Sequence, residues 1–328
     1  MNLFWSTRAL TQEREDHLTE FIAAALELST PFREAYLSLL LSGCNHKNLA
    51  GNSIERVETQ VAFPGTTCCP DMVLHLSNGD MIVCEHKLDA VETLGPSGDP
   101  RGQLKRYLDL PIQGLGYFRT CWKPPDRVVL DDQKYIRPAS REHFLWRDLY
   151  PLLEDSNDPF LAWMREGFER LGFTPPHPSV GEMSGPDTDV NRRNRKNFAK
   201  LWGATRSLAR GLGWKVKADS IVELYLSDNA SSIAAWIFIS PAKADRFLIR
   251  VTPRNDNLDT VAENLRIAAA GMADAIEVSQ HSVRRKEGQV GVVDVITTLS
   301  DVLGSDPVTT DGMERRLCDF VEPFLRAI

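Results

Sequence analysis

The stretch that most constrains this chain runs from Cys69 to Tyr107. It opens Pro70-Asp71-Met72-Val73-Leu74-His75-Leu76, turns through Ser77-Asn78-Gly79, and continues as Met81-Ile82-Val83-Cys84 into Glu85-His86-Lys87. Two apolar runs flanking an Asn-Gly pair predict a β-hairpin. The second run is apolar at every position, which predicts a strand covered on both faces.

Loop length decides what that hairpin can do. A two-residue Asn78-Gly79 turn would set Asp71 opposite His86 and leave Asp71 and Glu85 on different faces. A three-residue loop, Ser77-Asn78-Gly79 with the glycine left-handed, sets Leu76 opposite Asp80 and Asp71 opposite Glu85. Glu85 and Lys87 share a face because strand side chains repeat every second residue. The second register therefore gathers two acids and an amine. Close carboxylates repel, and one lysine offsets only part of that charge, so a hard divalent cation is the expected complement. Mg²⁺ (or Mn²⁺) is the expected cofactor, since magnesium is commonly held by one or two carboxylates, waters and phosphate oxygens. Such an ion activates water and stabilises charge on a phosphoryl group.

Pro70-Asp71 followed by Glu85-His86-Lys87 resembles the signature of the PD-(D/E)XK (restriction-endonuclease-like) nuclease superfamily. Gln103-Leu104-Lys105-Arg106-Tyr107 is similar to the QxxxY helix of its RecB-like and several defence-associated branches. The resemblance covers roughly residues 15–150. It implies an α/β fold with an αβββαβ core, and a metal-dependent nuclease that hydrolyses phosphodiester bonds, DNA favoured over RNA, in restriction or anti-phage defence. It further implies Asp71 and Glu85 as metal-binding acids, the backbone carbonyl of His86 as another ligand, and Lys87 as the catalytic lysine. Gln103 would help to hold the metal or the scissile phosphate. Glu20 resembles the first-helix acid of many members, and Glu58, on the strand before Asp71, is a second candidate ligand. Around the QxxxY helix, Arg101, Lys105, Arg106 and Tyr107 are candidate nucleic-acid contacts. The insertion Leu94–Pro100 lengthens the link to Gln103. The alternative is a catalytically inactive nuclease fold that serves as a nucleic-acid-binding or scaffolding module, against which the intact Asp71, Glu85 and Lys87 count. A regulator whose basic helix is the functional element is a further competitor.

A net charge of −7 over 328 residues excludes a uniformly basic coat, so phosphate binding must be local. One run supplies it. From Arg192 to Lys217 the chain has no acid, and Arg192, Arg193, Arg195, Lys196 and Lys200 are the candidate nucleic-acid contacts. Phe198, Leu201, Trp202, Thr205 and Leu208 form a helical stripe that would turn these cations outward. Proline, glycine and small polar residues mark 174–190 as a linker. The chain is thus expected to hold a nuclease domain at 1–173 and a second, α+β accessory domain at 191–328, which binds nucleic acid, senses a signal or forms a homodimer. No apolar run approaches the roughly 18 residues of a membrane helix and no secretion signal is evident, so a cytoplasmic, membrane-free protein is expected. The six cysteines include the adjacent Cys68-Cys69 and no CxxC, and are read as reduced and mostly buried; Cys44 with His46 is the nearest ligand pair.

Elsewhere the pattern predicts two helices over 12–41 broken at Pro31, and strands at 54–63 and 116–122. Helices are predicted at 144–150 and 160–168, with Trp146, Tyr150 and Trp163 in the core. In the accessory domain it predicts strands at 221–226, 233–239 and 247–252, helical segments over 258–278 and 288–303, and a closing helix at 313–328. Arg284-Arg285-Lys286 is read as a solvated cluster.

Overall fold

A computed structural model describes residues 14–43, 48–88, 101–138, 141–154, 157–176, 189–219, 223–228, 233–239, 246–253, 257–272, 276–285, 288–304 and 310–328. The chain divides into two compact units, 1–175 and 176–328, a boundary inside the expected linker. The Cys44–His46 pair and the Leu94–Pro100 insertion lie outside the described residues.

The first unit opens with α1 (Arg14–Leu28) and α2 (Thr30–Leu41). Ser29 separates them: its hydroxyl accepts from the Phe32 N–H, and Pro31 occupies the first turn, where its missing donor costs nothing. A five-stranded sheet follows in the order β1 (Ile54–Thr59), β2 (Met72–Leu76), β3 (Met81–His86), β4 (Gly114–Arg119), β5 (Phe144–Leu145). The first three strands are antiparallel, while β3, β4 and β5 run parallel. Between β3 and β4 lies the short α3 (Gln103–Tyr107), so the chain order through β4 is α, α, β, β, β, α, β.

Strand β3 is buried almost throughout, as its unbroken apolar run requires. Ile82 and Cys84 join the core shared with Leu18, Ile22, Tyr36 and Leu40 of α1 and α2. Val83 points the other way, into a core with Leu104 and Tyr107 of α3 and with Leu115 and Tyr117 of β4. The hairpin has the three-residue loop: Gly79 adopts φ +86°, its N–H donates to the Leu76 carbonyl at 2.9 Å, and the Leu76 N–H donates to the Asp80 carbonyl at 2.9 Å. The ladder from His75↔Met81 to Met72↔Cys84, carried one step further, sets Asp71 opposite Glu85.

Some expectations are corrected here. Residues 144–150 are not a helix: β5 gives way to a 3₁₀ turn at Trp146–Leu149, because Phe144 and Leu145 are taken up pairing with Phe118 and Arg119 of β4. Trp146 is fully buried and Tyr150 half-buried, but Trp163 is 36% exposed on α6 (Pro159–Leu171), after the short α4 (Arg127–Leu130) and α5 (Pro151–Glu154).

The second unit begins with α7 (Asp189–Ala199) and α8 (Trp202–Gly211), followed by β6 (Lys215–Asp219), β7 (Glu223–Ser227), β8 (Ile233–Ile239) and β9 (Arg246–Pro253). After α9 (Leu258–Ala270) come β10 (Glu277–Arg285) and β11 (Gly288–Thr298), then α10 (Leu299–Leu303) and α11 (Thr310–Ala327). The sheet is antiparallel, ordered β10-β11-β9-β8-β7-β6. One face meets the helices through Leu226, Ile237, Phe247, Ile249, Val293 and Val295. The helical reading of 288–303 fails: Val290, Val292, Val293, Val295 and Ile296 are β-branched and form a strand, while only its last residues turn into α10. Among the described residues no helix is long and apolar enough to cross a membrane.

Candidate functional site

The site is built at the C-terminal end of β3, where α1 on one face of the sheet and α3 on the other both reach the strand. Lys87 is fixed through its backbone before its amine is considered. Its N–H donates to the Phe118 carbonyl at 2.9 Å and its carbonyl accepts from Trp146 Nε1 at 3.1 Å. The amine then lies 2.6 Å from Glu85 Oε1 and 3.5 Å from Glu15 Oε2. Glu15 is itself held, because its Oε1 accepts the Leu88 N–H at 2.7 Å.

Asp71 is held from two sides. Its Oδ2 accepts the His86 N–H at 2.7 Å, and its Oδ1 accepts from Gln60 Nε2 at 3.3 Å. The same amide donates to Asp16 Oδ1 of α1 at 3.1 Å, and the Gln60 N–H donates to the Asp71 carbonyl at 3.1 Å. Gln60 is the one non-glycine residue with positive φ, +52°, among the described residues. Left-handed backbone is costly for such a side chain and persists only where its surroundings over-determine it.

The QxxxY pair braces the same loop. Gln103 Nε2 donates to the Tyr107 hydroxyl at 2.7 Å, and that hydroxyl donates to the Cys69 carbonyl at 2.9 Å, two residues before Asp71. Behind the strand, the His86 ring lies among Phe118 and Trp146, with Nδ1 2.8 Å from Thr19 Oγ1. The Thr19 hydroxyl donates to the Glu15 carbonyl at 3.1 Å, so it accepts from His86 Nδ1–H.

Burial dominates the electrostatics. It pushes Glu85 up to about 8, with the Asp71 charge adding to the shift and Lys87 opposing it. Asp71 is raised for the same reason, with Lys87, the His86 N–H and Gln60 holding it back. For Lys87, burial pulls downward, but Glu85 and Asp71 outweigh it and the ammonium is stabilised. Burial drives His86 down to about 3, so its imidazole is neutral.

The donor set fits a hard cation. Glu85 is fully buried; Oε1 has the Lys87 ammonium, and Oε2 accepts no hydrogen bond. Tyr107 lies against this carboxylate, but its single proton goes to Cys69. A buried, unpartnered carboxylate oxygen facing a second carboxylate is costly unless something positive completes it. Among the described residues no group of three or more His, Cys, Asp or Glu side chains is gathered for a metal. Two carboxylates with a backbone carbonyl and waters is nevertheless the kind of set that magnesium takes.

Several predicted residues fall elsewhere. Glu20 points to solvent, on the side of α1 away from the sheet. The acids of α1 that reach the cluster are Glu15 and Asp16. Glu58 is engaged by Arg56 at 2.5 Å and by His75 at 2.6 Å, which turns it along β1 away from Asp71. Tyr107 is buried, and Arg106 is buried with its guanidinium on the Thr67 hydroxyl at 2.9 Å, so neither is presented to a nucleic acid. Arg101 is ion-paired with Asp109, and Lys105 is exposed. On α7, Arg192, Arg193 and Lys196 are exposed, as is Lys200 just beyond it, whereas Arg195 is half-buried. Cys68 and Cys84 are buried free thiols, but Cys69 and Cys121 are exposed. Sequence reasoning missed Glu15, Asp16 and Gln60, and it read Trp146 as core without its bond to the Lys87 carbonyl. Only Glu15 left a signal, since Glu15 and Thr19 stand one helical turn apart on the buried side of α1. Comparison with protein-family models, with curated proteins and with solved structures gives no match to this chain.

Proposed function

We propose that this chain is a divalent-metal-dependent nuclease with a restriction-endonuclease-like core, hydrolysing phosphodiester bonds, DNA in preference to RNA. One observation carries the reading: Asp71 stands opposite Glu85 on a buried strand end, with the Lys87 amine 2.6 Å from Glu85 and the second Glu85 oxygen unpartnered. Asp71, Glu85 and the His86 carbonyl would hold Mg²⁺ or Mn²⁺, and the bound ion would supply an activated water and charge stabilisation at the phosphoryl oxygens.

The chain's own residues do the rest. Lys87, whose ammonium is stabilised by its acidic neighbours, carries its proton toward the reacting phosphate, where it neutralises developing charge and orients the attacking water. Glu15, 3.5 Å from that amine, would still hold it were Glu85 engaged with a cation. Gln60 and the His86 N–H fix the Asp71 carboxylate, and Tyr107 fixes the loop that carries it. The exposed cations of α7 support a role for the second unit in binding nucleic acid. Restriction or anti-phage defence is the setting that the Gln103–Tyr107 resemblance suggests.

The test is cleavage of supercoiled plasmid, linear duplex, single strand and RNA in Mg²⁺ and in Mn²⁺, with Lys87→Ala in parallel. The parent protein should cut DNA only with metal, and the variant should lose about 10²–10⁴-fold in rate. Metal-independent cutting, equal rates for the two proteins, or no cutting of any substrate would sink the proposal.

A further inference from the structure

We propose that the outer half of the β10–β11 hairpin is an arm that grips duplex nucleic acid; the choice of partner rests on the nuclease reading. The arm is defined by a mismatch in strand pairing. Strand β11 pairs with β10 from Gly288 to Ile296, but with β9 only from Val293 to Thr298. The five pairs from His281↔Val292 to Arg285↔Gly288 therefore have no third strand among the described residues. A bare two-stranded ribbon is marginal in water, but this one is covered on one side, where Leu258 of α9 packs against Gly291 and Val292 is fully buried, and it is braced from its base. His281 Nε2 lies 3.5 Å from Asp294 Oδ2, and Asp294 is locked to Arg250 by two hydrogen bonds of 2.7 and 2.6 Å. Arg285 reaches back to the Thr252 hydroxyl at 3.3 Å. The ribbon is thus held in place before anything binds it.

Its end is exposed and basic. Arg284, Arg285, Gly288 and Gln289 are exposed. The described residues of its outer five pairs include Arg284 and Arg285 and no acid, in a chain whose net charge is −7. Five pairs extend about 14–17 Å. A B-form major groove, about 12 Å wide, admits a two-stranded ribbon and lines it with phosphates on both sides. A single strand offers no such slot, so the geometry selects a duplex.

The test measures binding rather than cleavage. Lys87→Ala protein in chelator is titrated with labelled duplex and single-stranded DNA of about 20 nucleotides, over a salt series, by fluorescence anisotropy. Arg284→Gln with Arg285→Gln should weaken duplex binding about tenfold and lower its log–log salt slope by about 2, leaving single-strand binding nearly unchanged. Arg284→Gln alone, which touches no brace, should lower the slope by about 1, and the double lysine variant should retain the parent slope. Parent-like affinity and slope in both glutamine variants would overturn the arm while leaving the nuclease reading standing. Equal losses on duplex and single strand would overturn its selectivity for the groove. If the Lys87→Ala protein binds neither DNA, the arm is overturned, and the nuclease reading stands or falls separately on the cleavage test.

Discussion

Each of the two sheets buries a carboxylate against a cation, and the two pairs are built to opposite specifications. In the second unit Asp294 meets Arg250 through two matched hydrogen bonds, so both its oxygens have donors. In the first unit Glu85 meets Lys87 through one oxygen, faces a like charge at Asp71, and leaves its other oxygen without a donor. The planar guanidinium satisfies a carboxylate completely, whereas an ammonium is a point charge that satisfies one side of it. A finished pair holds a sheet together. An unfinished one is the kind of arrangement found where a ligand supplies the missing partner.

The sharpest way to break that contrast is to neutralise each acid and compare stabilities without metal. Asp294→Asn leaves the Arg250 guanidinium in the sheet with a neutral partner, and should destabilise its unit by about 3 kcal/mol, the low end for a broken buried pair because Arg250 is partly exposed. Glu85→Gln removes a charge that burial already penalises, and Lys87 keeps Glu15 nearby, so the protein should melt no lower than the parent near pH 8. Thermal or denaturant melts of the two variants, read by tryptophan fluorescence and circular dichroism, decide it. Equal losses would mean that Glu85 is as structural as Asp294.

The pH dependence sharpens the same point. Glu85 rises from an ordinary value of 4.5 to about 8 in the folded protein, so between those limits the folded state holds a proton that the unfolded state has released. Stability without metal therefore falls as pH climbs from about 4.5 to about 8, and Asp71, also raised, acts in the same direction above its ordinary 3.8. Lys87 is raised as well, but the stability it lends is lost only above its ordinary 10.5, outside this window. Magnesium needs the unprotonated carboxylate, so its stabilising effect should grow with pH and level off near 8. Glu85→Gln should flatten much of the falling limb and abolish the magnesium effect. Melting temperatures measured from pH 5 to 9 with and without MgCl₂ check both; a magnesium effect that is independent of pH would refute the assignment.

The hairpin was legible from its Asn-Gly pair, but its register only down to two loops, since Gly79 suits both a two-residue and a three-residue turn. Once the loop has three residues, a period of two gives every residue from Met72 to Lys87 its face. Helix α1 was harder, because its face depends on how the helix is rotated against the sheet. Glu20 was chosen for its likeness to a first-helix acid, but the buried side runs through His17, Leu18, Thr19, Phe21 and Ile22 and leaves Glu20 outside. Glu58 lies on the strand before Asp71, as expected, yet its direction is set by Arg56 and His75, whose pairing depends on a bulge between Ile54 and Arg56 that no propensity announces. The β10–β11 hairpin was misread because its valines fall at mixed spacings of one and two, which a periodicity count confuses with a helix. Their β-branched character was the better guide.

Gln60 offers the smallest effect and the finest discrimination between a holding and a structural role. Its amide links Asp71 to Asp16, and its backbone carries the strain. Gln60→Ala keeps the left-handed backbone without the amide, whereas Gln60→Gly relaxes the backbone and also lacks the amide. If positioning Asp71 is its role, both variants should bind Mn²⁺ about tenfold more weakly by isothermal titration, although the glycine variant is the more stable of the two. Glu20→Gln, on the solvent side of the same site, should bind as the parent does. A glycine variant with parent affinity would mean that Gln60 shapes the turn and nothing more, and that the His86 N–H alone suffices to aim Asp71.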